Sequence, residues 1–270
     1  MSEKMNEAWN EDLRGAQNGA QATERAPGFY PQAGVAVTCR SYREYEAMFA
    51  LDDEALRRGP VLDVAGGASS FAAEAGGRGA EVVAADPRYA KDADTLYAES
   101  AEEIAASTAK LARLKERFDW SYYGSLEAHR ANREASLEAF AADYRRERER
   151  EREIGAGERR RRYVAAALPR LPFPDDAFAL TLCSHFLFLY EEQFDFAFHR
   201  DALRELYRVT RPGGEVRVYP LYTLRHERYP GLEALIESFE AAGAAAALLP
   251  SSLPFIPGST RLLRIAKPAE

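Results

Sequence analysis

Two features able to do chemistry stand close together in residues 61–87, VLDVAGGASSFAAEAGGRGAEVVAADP. The first is a run of small residues, Ala65, Gly66, Gly67, Ala68, Ser69 and Ser70, which lets a ligand approach the backbone closely. The second is Asp86, a carboxylate at the end of an apolar run. It is placed to accept hydrogen bonds from two ribose hydroxyls, each worth about 1.5–3 kcal/mol to a charged acceptor. Together they predict a nucleotide-cradling βαβ half suited to an adenosine-type ligand. A second polar point comes later, where the apolar run before residue 184 ends in Ser184 and His185. A histidine with an ordinary pKa of about 6.5 suits proton removal near neutrality, and a structural histidine is an equally open reading.

Positioning these residues requires a sheet. The first strand begins at Val61, and strands are expected at 79–86, 162–167, 177–183, 215–221, 244–249 and 261–266, with helical patterns between most of them. That alternation predicts an α/β, Rossmann-like, doubly wound and mostly parallel sheet. Ahead of it, Tyr42, Tyr45 and Phe49 recur at helical spacing. One connection is abnormally long. Residues 88–161 read as a helical insertion of two antiparallel helices, one with Ile104, Leu111, Leu114 and Phe118 on a face, the other with Leu126, Leu137, Phe140 and Tyr144. The segment is a candidate lid, with Trp120, Tyr122 and Tyr123 either walling a ligand or packing between the helices. The alternating Arg and Glu over 145–153 reads as a solvated helix face, and the basic cluster 158–162 as a solvated cluster or an anion site.

Composition sets the remaining bounds. With 270 residues, 46% hydrophobic and 29% charged, the chain is expected to form one elaborated domain over 29–270 behind a flexible tail, 1–28. No apolar run approaches the roughly 20 residues that span a bilayer, and the amino terminus has neither signal nor transit character, so a cytoplasmic protein without a membrane partner is expected. A net charge of -7 disfavours a basic nucleic-acid surface. The two cysteines, Cys39 and Cys183, form no metal-ligand spacing.

The order of the small-residue turn, Asp86, LPFPDDAF at 171–178, CSHFLFLY at 183–190 and LRELYRVTRPGGEVRVY at 203–219 resembles the class I S-adenosylmethionine-dependent methyltransferases, close to the type-11 group. The resemblance covers 42–267 apart from the insertion. It implies a seven-stranded sheet with an antiparallel last strand. It implies S-adenosylmethionine held by Asp63, Ala65, Gly66, Gly67 and Ser69 at the methionine end and by Asp86 at the ribose. Ser184 and His185 would face the methyl group. Ala65 and Ser69 replace glycines of the family loop, and Ala167 stands where an acid often meets adenine, so either backbone amides near Leu168 or a residue of the insertion is expected to serve instead. The implied activity is methyl transfer to a small-molecule acceptor. Aminopropyl transfer from the same cofactor, a catalytically inert binding domain and a dinucleotide dehydrogenase are the competing readings.

Overall fold

The computed structural model describes Tyr30, Gln32 and residues 34–154 and 161–269; the tail expected over 1–28 and most of the basic cluster 158–162 lie outside them. Strands β1 (Val61–Val64), β2 (Val82–Ala85), β3 (Tyr163–Val164), β4 (Phe178–Ser184), β5 (Thr210–Tyr219), β6 (Ala245–Pro250) and β7 (Arg261–Ala266) form one sheet in the order β3-β2-β1-β4-β5-β7-β6. The first five are parallel to one another, and β7 runs antiparallel between β5 and β6. This is the mostly parallel sheet with an antiparallel last strand that the sequence implies. The helices are α1 (Tyr42–Phe49), α2 (Asp53–Arg57), α3 (Phe71–Gly77), α4 (Ala93–Arg113), α5 (Leu126–Ile154), α6 (Phe196–Val209) and α7 (Leu232–Ala241).

Strand boundaries differ from expectation where backbone geometry decides. Gly79, with φ +92°, belongs to the turn after α3, and Asp86 caps a short 3-10 turn, so β2 is only four residues long. In contrast, β5 starts early, because Thr210 already pairs with Phe178 before a register shift carries the strand onto Glu215.

Alternation along the strands divides the core into two layers. Val61, Val82, Ala84, Leu180 and Leu182 face α1, α3 and the insertion, whereas Leu62, Val64, Val83, Ala85, Cys183, Val216 and Val218 face α6 and α7. On the first face Tyr45 stacks on Phe71 with ring centroids 4.2 Å apart. Full burial of each such ring contributes roughly 1.5–3 kcal/mol. Asp63 shares the parity of Val61, so its side chain enters this aromatic layer.

The insertion packs over that same face. Its apolar stripe buries Leu137, Phe140 and Tyr144, and Tyr144 Oη donates to the carbonyls of Tyr89 and Lys91, both at 2.9 Å. Asp143 receives Arg162 Nη1 at 2.7 Å and Tyr163 Oη at 2.9 Å, so Arg162, one of the two described arginines of that cluster, holds the insertion to the sheet. Further along α5, Arg148–Glu151 at 2.9 Å and Arg150–Glu147 at 3.0 Å are pairs three residues apart, each worth about 0.2–0.5 kcal/mol. No helix among the described residues is long and apolar enough to cross a membrane.

Candidate functional site

The small-residue turn leaves β1 with Ala65 at φ +58° and Gly67 at φ +55°. A side chain in that left-handed region costs about 1 kcal/mol, which Ala65 carries and Gly67 avoids. Asp86 stands opposite: its Oδ2 accepts from Gly67 N at 3.0 Å and its Oδ1 from Arg88 N at 2.9 Å. Burial raises its pKa despite the Arg88 charge and these two amides.

Every amide of the turn is engaged inside the chain. Ala65 and Gly66 donate to the Ala85 carbonyl, Ser69 to Gly66, Ala68 to Thr38 at 3.0 Å and Ser70 to Arg40 at 3.0 Å. Arg40 N returns a bond to Ser69 Oγ at 3.2 Å, and Tyr89 Oη donates to the Gly67 carbonyl at 2.8 Å. Residues 38–40 therefore lie across the turn as a strap. A Cβ on Gly67 would stand 2.8 Å from the Thr38 carbonyl. Gly67→Ala should accordingly cost about 1–3 kcal/mol in urea unfolding, from strained backbone plus displacement of the strap. A loss below about 0.5 kcal/mol would mean that the strap is not seated there.

Asp63 is turned toward Tyr45 of α1. Both its oxygens accept from Tyr45 Oη, at 3.0 and 3.1 Å, and burial with the nearby Asp86 charge pushes its pKa up to about 8 against the Tyr45 hydrogen bond. It is therefore a neutral acid near pH 7, built into the aromatic layer.

A buried polar cluster, unmarked by the sequence reading, lies beside the strap. Ser41 and Glu44 form a capping box at the start of α1, with Ser41 N donating to Glu44 Oε2 at 2.7 Å. The same carboxylate receives Arg40 Nη1 at 3.0 Å, Arg133 Nη1 at 2.8 Å, Asn132 Nδ2 at 2.6 Å and the hydroxyl of Tyr123. Burial alone would raise the Glu44 pKa, but the Arg133 and Arg40 charges overcome it and hold the carboxyl at about 2. Arg133 Nη2 also reaches His129 Nε2 at 3.2 Å. A guanidinium only donates, so Nε2 is the acceptor and the ring proton sits on Nδ1. His129 is neutral, its pKa lowered to about 2 by burial and then by Arg133 and Arg40.

Between this cluster and the sheet is a cavity of about 120 Å³. The strap, α4, α5, the segment after β4 and Phe255 wall it. Of the residues expected at a site, only His185 lines it; Asp63, Ala65, Gly66, Gly67, Ser69 and Asp86 lie beyond the strap, and Leu168 packs in the second core layer. Ser184 is buried behind His185, its Oγ 3.0 Å from His185 Nδ1. Burial, then Arg40 and Arg133, push His185 well below the usual histidine range, so the ring is neutral. Tyr123 packs edge-on to Phe255 and His129, and Trp120 on Phe255, so these aromatics belong to the core between insertion and body. Cys39 and Cys183 are free and buried.

The methyltransferase-domain family matches residues 129–218, a third of the chain that begins inside α5 and runs through β5. An uncharacterized protein of Methanocaldococcus jannaschii is 28% identical over 203 residues, covering 75% of this chain and 85% of its own. Two solved structures are similar at lower identity. A SAM-dependent methyltransferase of Methanosarcina mazei shares 12% identity over 80% of this chain and 96% of its own, with a TM-score of 0.41. A SAM-dependent methyltransferase of Aquifex aeolicus shares 14% over 82% and 90%, with a TM-score of 0.36. Superpositions that loose add nothing to the strand order itself. The family match spans β3 to β5 within the sheet order β3-β2-β1-β4-β5-β7-β6, so over that third of its length the chain is similar to the methyltransferase-domain family.

Proposed function

We propose that the chain transfers the methyl group of S-adenosylmethionine to a small-molecule acceptor. The observation that carries this reading is the pairing of Asp86 at the tip of β2 with the Gly67 amide of the turn after β1, in the sheet of this family. The residues fit the cofactor at its ribose end: two of the roughly four acceptor positions of the Asp86 carboxylate are used, leaving two for hydroxyls. At the turn they fit once the strap lifts, because its amides are engaged by Thr38 and Arg40.

When bound, S-adenosylmethionine would supply an electrophilic methyl carbon, whose bond to sulfur would break with the pair kept by sulfur as the acceptor's lone pair takes the carbon. The chain's own part is alignment and exclusion of solvent. Asp86 fixes the ribose, the turn supports the methionine end, and His185 at the end of β4 stands where acceptor and methyl meet. Being neutral and disfavoured as a cation, His185 orients the acceptor through its ring rather than storing a proton. The insertion roofs the cavity and excludes water.

Calorimetric titration with S-adenosylhomocysteine tests the reading. Wild-type chain should bind, and Asp86→Ala should lose about 3 kcal/mol, near two orders of magnitude in affinity, for two hydroxyl bonds. Unchanged affinity in Asp86→Ala would refute the site. The engaged turn favours one rival, a domain that keeps the fold without the chemistry, and absence of binding by the wild type would establish it. Accumulation of methylthioadenosine instead of S-adenosylhomocysteine during turnover would assign aminopropyl transfer.

A further inference from the structure

The cavity under the insertion contains polar atoms that the fold leaves unsatisfied. Arg40 Nε, His129 Nδ1 and Glu103 Oε1 are buried without a hydrogen-bond partner among the described residues, and all three residues line the cavity. Such atoms cost about 1–3 kcal/mol each when nothing meets them. Their chemistry is complementary: a guanidinium N–H and the His129 Nδ1–H donate, and the Glu103 carboxylate accepts.

Charge decides what kind of ligand they suit. Arg40 and Arg133 share the single carboxylate of Glu44, which leaves that side of the cavity one positive charge in excess. Glu103, on α4, supplies one negative charge. Lys110 on the same helix is directed elsewhere, its Nζ 3.0 Å from Gln32 Oε1 and over the Tyr30 ring. Arg40, Arg133 and Glu103 all act electrostatically on both the Cys39 thiol and the Tyr30 hydroxyl, so the opposite charges share one neighbourhood. A simple anion would leave Glu103 repelled, and a simple amine would leave the guanidinium side bare. A dipolar ligand answers both. Phe118, Leu189, Phe255 and Ile256 supply an apolar wall for its remainder.

We propose that this cavity binds a free α-amino acid with an apolar or aromatic side chain, its carboxylate at Arg40 and His129 and its ammonium at Glu103, as the acceptor of the methyl group: the ammonium passes a proton to the Glu103 carboxylate, the freed amine lone pair bonds to the methyl carbon as the carbon–sulfur pair returns to sulfur, and an N-methyl amino acid leaves. The assignment rests on the reaction proposed above. The aminoacyl end of the cofactor has the same chemistry, but neither residues 63–70 nor Asp86 line the cavity, and the strap lies between. The cavity meets the sheet at His185, where the methyl would be presented.

The test is calorimetric titration of the full chain, saturated with S-adenosylhomocysteine, with L-phenylalanine, 3-phenylpropionate and phenethylamine in turn. L-Phenylalanine should bind at least tenfold more tightly than either singly charged analogue. Glu103→Gln, at a half-exposed helical position that should tolerate it, should erase the advantage over 3-phenylpropionate while leaving S-adenosylhomocysteine affinity within about twofold. Equal binding of the three probes would overturn the proposal. So would a Glu103→Gln variant that weakens S-adenosylhomocysteine but not L-phenylalanine, since that result gives the zwitterion site to the cofactor. Repeating the L-phenylalanine titration without S-adenosylhomocysteine separates the two readings: binding there, with no binding of S-adenosylhomocysteine, upholds the cavity's ligand and sinks the methyl transfer.

Discussion

Replacing Glu44 by Gln is expected to remove about 3–5 kcal/mol of stability, because it leaves two buried guanidinium groups, Arg40 and Arg133, without their counter-charge. Few single changes in a domain cost so much, since total stability is typically about 5–15 kcal/mol. The same carboxylate gives the loss a pH signature. Its pKa is about 2 in the folded chain against about 4.3 unfolded, so the stabilisation is fully present above pH 5 and disappears as pH falls from about 4 toward 2. Urea unfolding of wild type and Glu44→Gln should therefore converge in acid, separate as pH rises from about 2 to 5, and differ by a constant amount above pH 5. The double variant Glu44→Gln, Arg133→Gln should recover part of the loss, because one of the stranded charges goes with it. A single-variant loss below about 1 kcal/mol, or parallel pH profiles, would show that the cluster is solvated in solution.

Asp63→Asn should do the opposite. Asp63 keeps its proton in the folded chain up to about pH 8, whereas the unfolded chain releases it near pH 3.9. Between those values the folded state binds more protons than the unfolded one, and stability falls as pH rises, by about 1.4 kcal/mol per unit from this group alone. Asparagine retains an oxygen for Tyr45 Oη and places an N–H donor where the neutral acid carries its O–H. The variant should match the wild type near pH 4 and exceed it by several kcal/mol at pH 8, as measured by urea midpoints at both values. A variant less stable than wild type at pH 8 would mean that Asp63 is ionised in the folded chain. Glu44 and Asp63 thus give opposite slopes, one in the acid range and one across neutrality.

How much of this could be read from the residues alone depends on periodicity. The sheet followed from alternation and from apolar runs, and strand Arg261–Ala266 falls at the expected position. The insertion helices followed from their stripes. The role of Asp63 was also latent there, since a strand's period of two puts it on the face of Val61, among Tyr45 and Phe71. The polar cluster was harder to see. Its signals are Ser41-Tyr-Arg-Glu44, a capping-box spacing, and His129 and Arg133 set within the stripe Leu126, Leu137, Phe140, Tyr144, where polar residues at apolar positions announce a buried partner. What no spacing could reveal is that the partner of α5 is the start of α1, nearly ninety residues earlier, or that residues 38–40 cross the small-residue turn.

The strap has a kinetic meaning. A ligand that uses the amides of Ala68 and Ser70 must take them from the carbonyls of Thr38 and Arg40, so binding at the turn is an exchange of hydrogen bonds in which total bonding changes little. Its association rate is then governed by how often the strap opens, and its apparent affinity is the intrinsic one scaled by the fraction of open molecules. Association slower than diffusion, and independent of ligand concentration once opening becomes limiting, is the behaviour such a latch imposes on the nucleotide site.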